Sequence, residues 1–539
     1  MGMAVFTREA TGLLRELGFV DHLIISLGTI NIIGGFVLST LAAAFFFPGS
    51  NLVAVFLLGA IPALAFVGMY SILSAAIPRS GGDYVWTGRI LGPRFATSMA
   101  ILFLFSQIIA FNALNAWGIF YYGLAQGFLA LGLTTGNSIL VSWGTLVIQP
   151  AIGFTLSVIV LVLELLVVIL GLSVYKKLNR ISFAVYAIIL ILFVGALLSV
   201  SQTSFQSSVT QYLSSYNVTY TSVQGAVTAN PQLATFSLSN TILAFPLLGF
   251  LTYSGFNFNT YAAGETKRVS ESIPKALITA VGITAVFLVI LSTLVYNLMG
   301  SSFVNGISYL WNTGTLGTVP VQPTVTFLLA LATNPYVGFA LNFGVALGNF
   351  LVLLQCMVMF TRIIFALSFD RIIPAKFASV SERFHSPHYA ALAIGILSIL
   401  AETLYWYGPG LLTGYLNSAV AVEVAYMIPG IAAFLFPFMK KDMYKRLVKP
   451  LPGWLSAEIG GWPLVSICGL AVAVLWAFGI YTELVPVTNY TYLGSSLWFA
   501  VTATIVPIIA ALALYEAARV YQKKHGLDIS LVFKEIPPE

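Results

Sequence analysis

Residues 240–275 read NTILAFPLLGFLTYSGFNFNTYAAGETKRVSESIPK, and the architecture turns on what this stretch does at membrane depth. Leu243 to Leu251 suits a lipid-facing helix, but helical character is lost at Thr252-Tyr253-Ser254-Gly255-Phe256-Asn257. A spanning helix needs about 20 apolar residues and must satisfy its own backbone polar groups. A Gly flanked by Ser, Asn and Thr loosens the backbone and frees amides and carbonyls. Such a break survives in the bilayer only where it lines a cavity or is buried in protein. The stretch therefore predicts a discontinuous helix whose exposed backbone binds a solute. The competing reading is a Gly that only lets two helices pack closely.

The rest of the chain supplies the context. It is 59% hydrophobic and 8% charged, with mean hydropathy +0.94, which excludes a soluble protein. Apolar runs at 22–46, 51–77, 95–131, 151–173, 181–203, 239–264, 276–299, 325–367, 389–407, 412–438, 463–483 and 495–521 predict about twelve transmembrane helices. The runs 95–131 and 325–367 are long enough to tilt or to continue into a second short helix. All 24 Lys and Arg fall before span 1, between spans 2 and 3, 4 and 5, 6 and 7, 10 and 11, around the end of span 8, and at or after the end of span 12. These positions share one side of a twelve-span arrangement, so the positive-inside rule places both termini in the cytoplasm of a multi-pass cell-membrane protein. The net charge of +6 is then a cytoplasmic collar facing lipid, with no call for nucleic acid. Cys356 and Cys468 read as small core residues, and the four His show no metal-ligand spacing.

Residues 181–264 contain no charged side chain, and the loops near 204–238 and 300–324 are built from Ser, Thr, Asn, Gln, Tyr and Gly. Two sequons, Asn217-Val218-Thr219 and Asn489-Tyr490-Thr491, fall on the same outer side. A charge-poor exterior suits acidic surroundings, where surface carboxylates titrate. Vesicle transport that peaks at neutral external pH and collapses in acid would refute that idea.

Span 1 carries a second interruption, Gly28-Thr29-Ile30-Asn31-Ile32-Ile33-Gly34-Gly35, whose glycines make a helix easy to unwind. Spans 1 and 6 are five apart, as in two inverted five-span halves. Paired interrupted helices in corresponding positions point to a midplane site. The predicted substrate-binding residues are Gly28, Thr29, Ile30, Asn31, Gly34 and Gly35 with Tyr253, Ser254, Gly255, Phe256, Asn257 and Asn259; Tyr253 and Phe256 are candidate aromatic lids.

Polar residues inside other spans are pathway or coupling candidates. They are Ser106 and Gln107 in span 3, Asn349 in span 8, and Asn417 and Glu423 in span 10. Asn342 shares a helix face with Asn349, whereas Gln355 is turned away. Glu164 in span 4 reads as a packing residue. In the loop after span 2, Gly81-Gly82 forms a turn and Asp83 is expected to pair with a nearby Arg.

Three elements carry a family resemblance. Pro78-Arg79-Ser80-Gly81-Gly82-Asp83-Tyr84 is similar to the P-x-S/T-G-G-x-Y element that follows the second helix of amino acid–polyamine–organocation (APC) permeases. Ser254-Gly255-Phe256-Asn257 and the segment from Glu265 to Ala276 resemble that family's S-G-F-E and E-x-K-N-P-x-x-x-I-P-x-A. The run from Arg362 through Ala366 and Asp370 to Pro374 resembles R-x-x-x-A-x-x-x-D-x-x-I/L-P after the eighth helix. The resemblance covers most of 15–440. It implies two inverted five-helix repeats with helices 1 and 6 discontinuous, plus two additional helices. The expected division is 1–21, N-terminus; 22–203, first repeat; 204–238, extracellular loop; 239–438, second repeat; 439–462, cytoplasmic loop; 463–521, helices 11 and 12; 522–539, tail. It also implies alternating access driven by a proton or sodium gradient or by exchange, with no other cofactor. Helix 1 is then expected to offer backbone amides to a substrate carboxylate and helix 6 carbonyls to its ammonium group. This chain departs from the pattern in carrying bulky Ile in span 1 where the family has Gly and Ser, Asn257 where many members have Glu, and no Lys in span 5.

The expected function is secondary transport of amino acids or related small amines. Nucleobases, polyamines or organic anions are the alternative cargo. An intramembrane enzyme would need paired catalytic groups at one depth, and a channel a charge ring or filter motif; neither pattern is present in the sequence.

Overall fold

The computed structural model describes residues 13–408, 419–484 and 497–534. The protein is all-α and polytopic. Among the described residues eleven helices are long and apolar enough to cross a membrane, from Phe19–Phe46 to Ala500–Lys524. The sixth expected span is the shorter Leu238–Tyr253, which stops at the Ser254-Gly255 break. Spans are numbered below in chain order with this one as the sixth. Asn417 and Asn489 lie outside the described residues.

Span 1 breaks, but not as its glycines suggest. Helices Phe19–Ile30 and Ile32–Phe46 are separated by one residue, Asn31, in the left-handed region at φ 50°. Asn tolerates that region better than most residues with a Cβ. Asn31 N–H donates to the Leu27 carbonyl to close the first helix, and its side-chain oxygen accepts from Gly34 N–H to start the second. Gly28, Gly34 and Gly35 stay helical.

Span 6 is irregular throughout. An α-turn region, Leu238–Ala244, widens into a π-segment, Phe245–Phe250, at Pro246, whose missing N–H weakens the regular ladder. The 3-10 turn Leu251–Tyr253 then meets Gly255 at φ 91°, a conformation suited to Gly. The second half is a stack of 3-10 turns, Phe256–Tyr261 and Ala263–Glu265, rather than an α-helix. The π-segment is held where Gly249 meets span 2. A Cβ added to Gly59 would lie 2.4 Å from the Gly249 carbonyl carbon, so the two backbones touch.

The long third and eighth runs resolve differently. Pro93–Thr135 is continuous but contains two π-segments, Ile108–Ala113 and Ile119–Leu124, followed by a short helix, Ser138–Val147. The eighth run breaks between Val325–Ala332 and Pro335–Phe369. The expected loop 204–238 holds three helices, Gln202–Ser214, Tyr220–Thr228 and Pro231–Ala234. Ser301–Asn312 lies after span 7. Tyr220 stacks on Phe303 at 4.5 Å, and Ser308 Oγ and Asn312 Nδ2 both donate to the Leu41 carbonyl, so these helices form a roof over span 1.

The opposite end, where Lys and Arg cluster, is closed by buried polar contacts. Arg362 grips Glu265 through Nε and Nη2, both at 2.9 Å, and Arg89 grips Asp370 at 2.7 and 3.0 Å. Residues before span 1 pair with the end of span 6, since Leu17 N–H donates to the Glu265 carbonyl and Lys267 N–H to that of Leu17. Gly81-Gly82 turns as expected. Asp83, however, accepts from the Tyr70 and Tyr261 hydroxyls at 2.8 and 3.0 Å. Its expected Arg partner is replaced by two phenols because the loop is folded inward against the 3-10 turns of span 6, with Asp83 only 1% exposed. Burial pushes the Asp83 carboxyl up to about 6, against the lowering effect of the two hydroxyl donors.

Candidate functional site

Between the two breaks lies a cavity of about 530 Å³, lined by spans 1, 3, 6 and 8 and by the roof. A volume of several hundred Å³ suits a small organic molecule. Among the described residues no charged side chain lines it. Its polar surface comes from the carboxamides of Asn31, Asn115, Asn312, Gln322 and Asn349 and the hydroxyls of Thr29, Ser39, Thr252 and Ser254. Its aromatic wall is Trp117 stacked on Tyr121 at 4.3 Å, with Tyr122 beside them and Trp311 above.

Of the residues expected to bind solute, Thr29, Ile30, Asn31, Gly34, Gly35 and Ser254 line this space, as does Asn349 from the pathway set. The others lie elsewhere. Gly28 packs on span 8, where an added Cβ would meet Gln355 Nε2 at 3.0 Å. Gly255 packs on Thr29, with 2.3 Å for an added Cβ. Tyr253 donates its hydroxyl to the Phe56 carbonyl, which anchors it to span 2 outside the cavity lining. The Phe256 carbonyl accepts from Ser26 Oγ, which also accepts from Asn259 Nδ2; the Phe256 ring lies against Phe66. These contacts, together with buried Asn257, form a sealed floor on the basic side of the cavity.

Ser106 bonds its own helix at the Phe103 carbonyl, and buried Gln107 has no hydrogen-bond partner for either amide atom among the described residues. Asn342 likewise bonds back to Gly338, so only one member of the Asn342–Asn349 pair reaches the cavity. Glu423 is fully buried. Its carboxyl faces span 11, where a Cβ on Gly479 would lie 2.4 Å from Oε1, and neither oxygen has a hydrogen-bond partner among the described residues. Glu483, one turn beyond Gly479, is buried in the same way. Glu164 is buried on span 4 with no hydrogen-bond partner among the described residues.

Sequence reasoning missed three contributions. The span 3 aromatics carry a signal, since Trp117 and Tyr121 are four apart and so share a helix face. Tyr186 of span 5 accepts from Ile33 N–H at 2.9 Å and donates to Asn31 Oδ1 at 3.2 Å. Gly348 of span 8 gives Asn31 its berth, because a Cβ there would lie 2.0 Å from Asn31 Oδ1. Neither of the last two is visible without three-dimensional contacts.

An all-helical, multi-span membrane protein with two interrupted helices flanking a closed-floored polar cavity is built as a solute transporter. Comparison with known proteins agrees. The amino acid permease family model matches residues 17–526, and the chain belongs to that family. The branched-chain amino acid permease BcaP of Bacillus subtilis (strain 168) is 24% identical over 403 residues, covering 74% of this chain and 76% of that one. The methylthioribose transporter of the same organism is 22% identical over 470 residues, covering 86% and 90%. Solute carrier family 12 member 9 of Danio rerio is 28% identical over 241 residues, 42% of this chain and 26% of its own length.

Proposed function

We propose that the protein carries an amino acid or related small amine across the cell membrane by alternating access, with the Lys- and Arg-rich end in the cytoplasm. The observation that carries this reading is the uncharged cavity at the paired breaks in spans 1 and 6. A cargo that needs no ionised protein partner fits it, because carbonyls and carboxamides solvate polar groups there. The name of the permease relative supports an amino acid as cargo, and that of the methylthioribose transporter supports keeping another small polar solute as the alternative. In this reading the repeats at 22–203 and 239–438 rock against each other. The roof side admits cargo, and the Arg362–Glu265 and Arg89–Asp370 pairs part to release it. Transport is driven by a proton or sodium ion or by exchange, and buried Glu423 is a candidate coupling carboxyl.

Gly35 tests the site. A Cβ there already lies 2.9 Å from Thr252 Cγ2, so Gly35→Leu fills the space between the two broken spans. Uptake by proteoliposomes should be abolished with membrane insertion unchanged. Gly225→Leu, at a position with nothing within 4 Å, should retain uptake. Normal uptake by Gly35→Leu refutes the site.

A further inference from the structure

The break in span 1 uses its own donors. Gly34 N–H goes to Asn31 Oδ1 at 3.1 Å and Ile33 N–H to the Tyr186 hydroxyl at 2.9 Å. In a regular helix those two amides would instead return to the carbonyls of Ile30 and Thr29, four residues back. Those carbonyls, at the negative end of the first half-helix, thereby lose those two helical donors, and both residues line the cavity. Asn31 is not free to step aside. Its Nδ2 donates to Asn349 Oδ1 at 2.9 Å, its Oδ1 also accepts from Tyr186, and Gly34 and Gly348 hug the side chain so closely that a Cβ on either would overlap it.

We propose that Asn31 is a specificity-determining residue: its side-chain oxygen occupies the place a carboxylate would take on the second half-helix, so the carrier selects cargo without a carboxylate. This rests on the carrier reading above and narrows its cargo toward amines or other carboxylate-free polar solutes. An incoming carboxylate would have to displace an oxygen held by two donors and break the Asn31–Asn349 bond. An ammonium or hydroxyl cargo meets the released carbonyls directly. The oxygens that remain on Asn115 and Asn312, whose amide nitrogens donate to main-chain carbonyls, add acceptors on the same wall.

The test is titration calorimetry of the purified full chain with three probes: L-leucine; 3-methylbutylamine, which is leucine lacking its carboxylate; and methylthioribose. Asn31→Gly suits the left-handed backbone and removes the internal oxygen, while Asn31→Asp keeps that oxygen and adds charge. In the wild type the tightest probe should be carboxylate-free and at least about tenfold tighter than leucine. Asn31→Gly should improve leucine by about tenfold, the scale of one charge-assisted hydrogen bond. Asn31→Asp should not improve leucine and should tighten the amine. A purely structural Asn31 would weaken all probes in parallel in both variants, which overturns the inference. Leucine bound by the wild type as tightly as the other probes, or no leucine gain in Asn31→Gly, also overturns it. Binding of methylthioribose alone to the wild type, with leucine gained in Asn31→Gly, would uphold the inference and refute the amino-acid-or-amine reading.

Discussion

Replacing Glu265 by Gln should open the basic end. The Arg362–Glu265 pair is bidentate at 2.9 Å, with side-chain exposures of 3% and 2%, and joins the end of span 8 to the last 3-10 turn of span 6. Removing one partner of a buried ion pair typically costs about 3–5 kcal/mol because the other charge is left uncompensated. Gln keeps one neutral acceptor for the guanidinium and recovers about 1 kcal/mol. The closed arrangement should therefore lose about 3 kcal/mol, which is a shift of about a hundredfold toward any state in which Arg362 reaches water. The assay is alkylation of a cysteine introduced at the fully buried Ala262, in a background lacking Cys356 and Cys468, with reagent supplied from the basic side. Labelling should accelerate by one to two orders of magnitude in Glu265→Gln. Adding Arg362→Met should reverse most of the effect, because the stranded charge is then gone. Labelling unchanged in Glu265→Gln, or an effect that the second substitution deepens, would refute the gate argument.

Asp83 gives a pH signature. Its folded value near 6 lies above the ordinary 3.8, so the folded state binds the proton more readily. Its contribution to stability is therefore full below about pH 4 and is lost as pH rises through 6, by about 3 kcal/mol in all. Melting curves of wild type and Asp83→Asn should diverge over that window, with the wild type alone losing stability; parallel curves would count against a buried carboxyl. Gly249→Ala should destabilise by about 1–3 kcal/mol in thermal unfolding, because its Cβ would lie 2.4 Å from the Val55 carbonyl oxygen. Phe533→Ala should loosen the tail from the basic end. That ring sits 5.1 Å from the Arg89 guanidinium, and limited proteolysis near residues 525–534 should speed up several-fold if the contact holds the tail.

Much of the architecture is legible in the chain because hydropathy and positive charge are local sums. Spans lying in the described residues fall close to their apolar runs, and both breaks fall inside the stretches of Gly and polar residues that mark them. The mechanism of the first break is not legible in this way. Three glycines suggested unwinding, yet the turn belongs to Asn31, which is stabilised by Asn349, 318 residues away, and by Tyr186, 155 residues away. Asp83 misled for the same reason. Local sequence offers it arginines, whereas folding brings Tyr261 from 178 residues along the chain. The roof helices are not legible from hydropathy, because a pattern that marks spans does not mark short polar helices within a connecting segment. The aromatic wall was the avoidable miss, since Trp117 and Tyr121 are spaced to share one face.

The roof helices Gln202–Ser214, Tyr220–Thr228 and Ser301–Asn312 contain no ionisable Asp, Glu, Lys, Arg or His. On the proposed entry side, helices of that kind exert little long-range pull on a charged visitor and leave few local fields for dissolved ions to screen. Encounter rates should thus change little between dilute and concentrated salt. Whatever discrimination the protein exercises falls on short-range fit inside, after the molecule has already arrived.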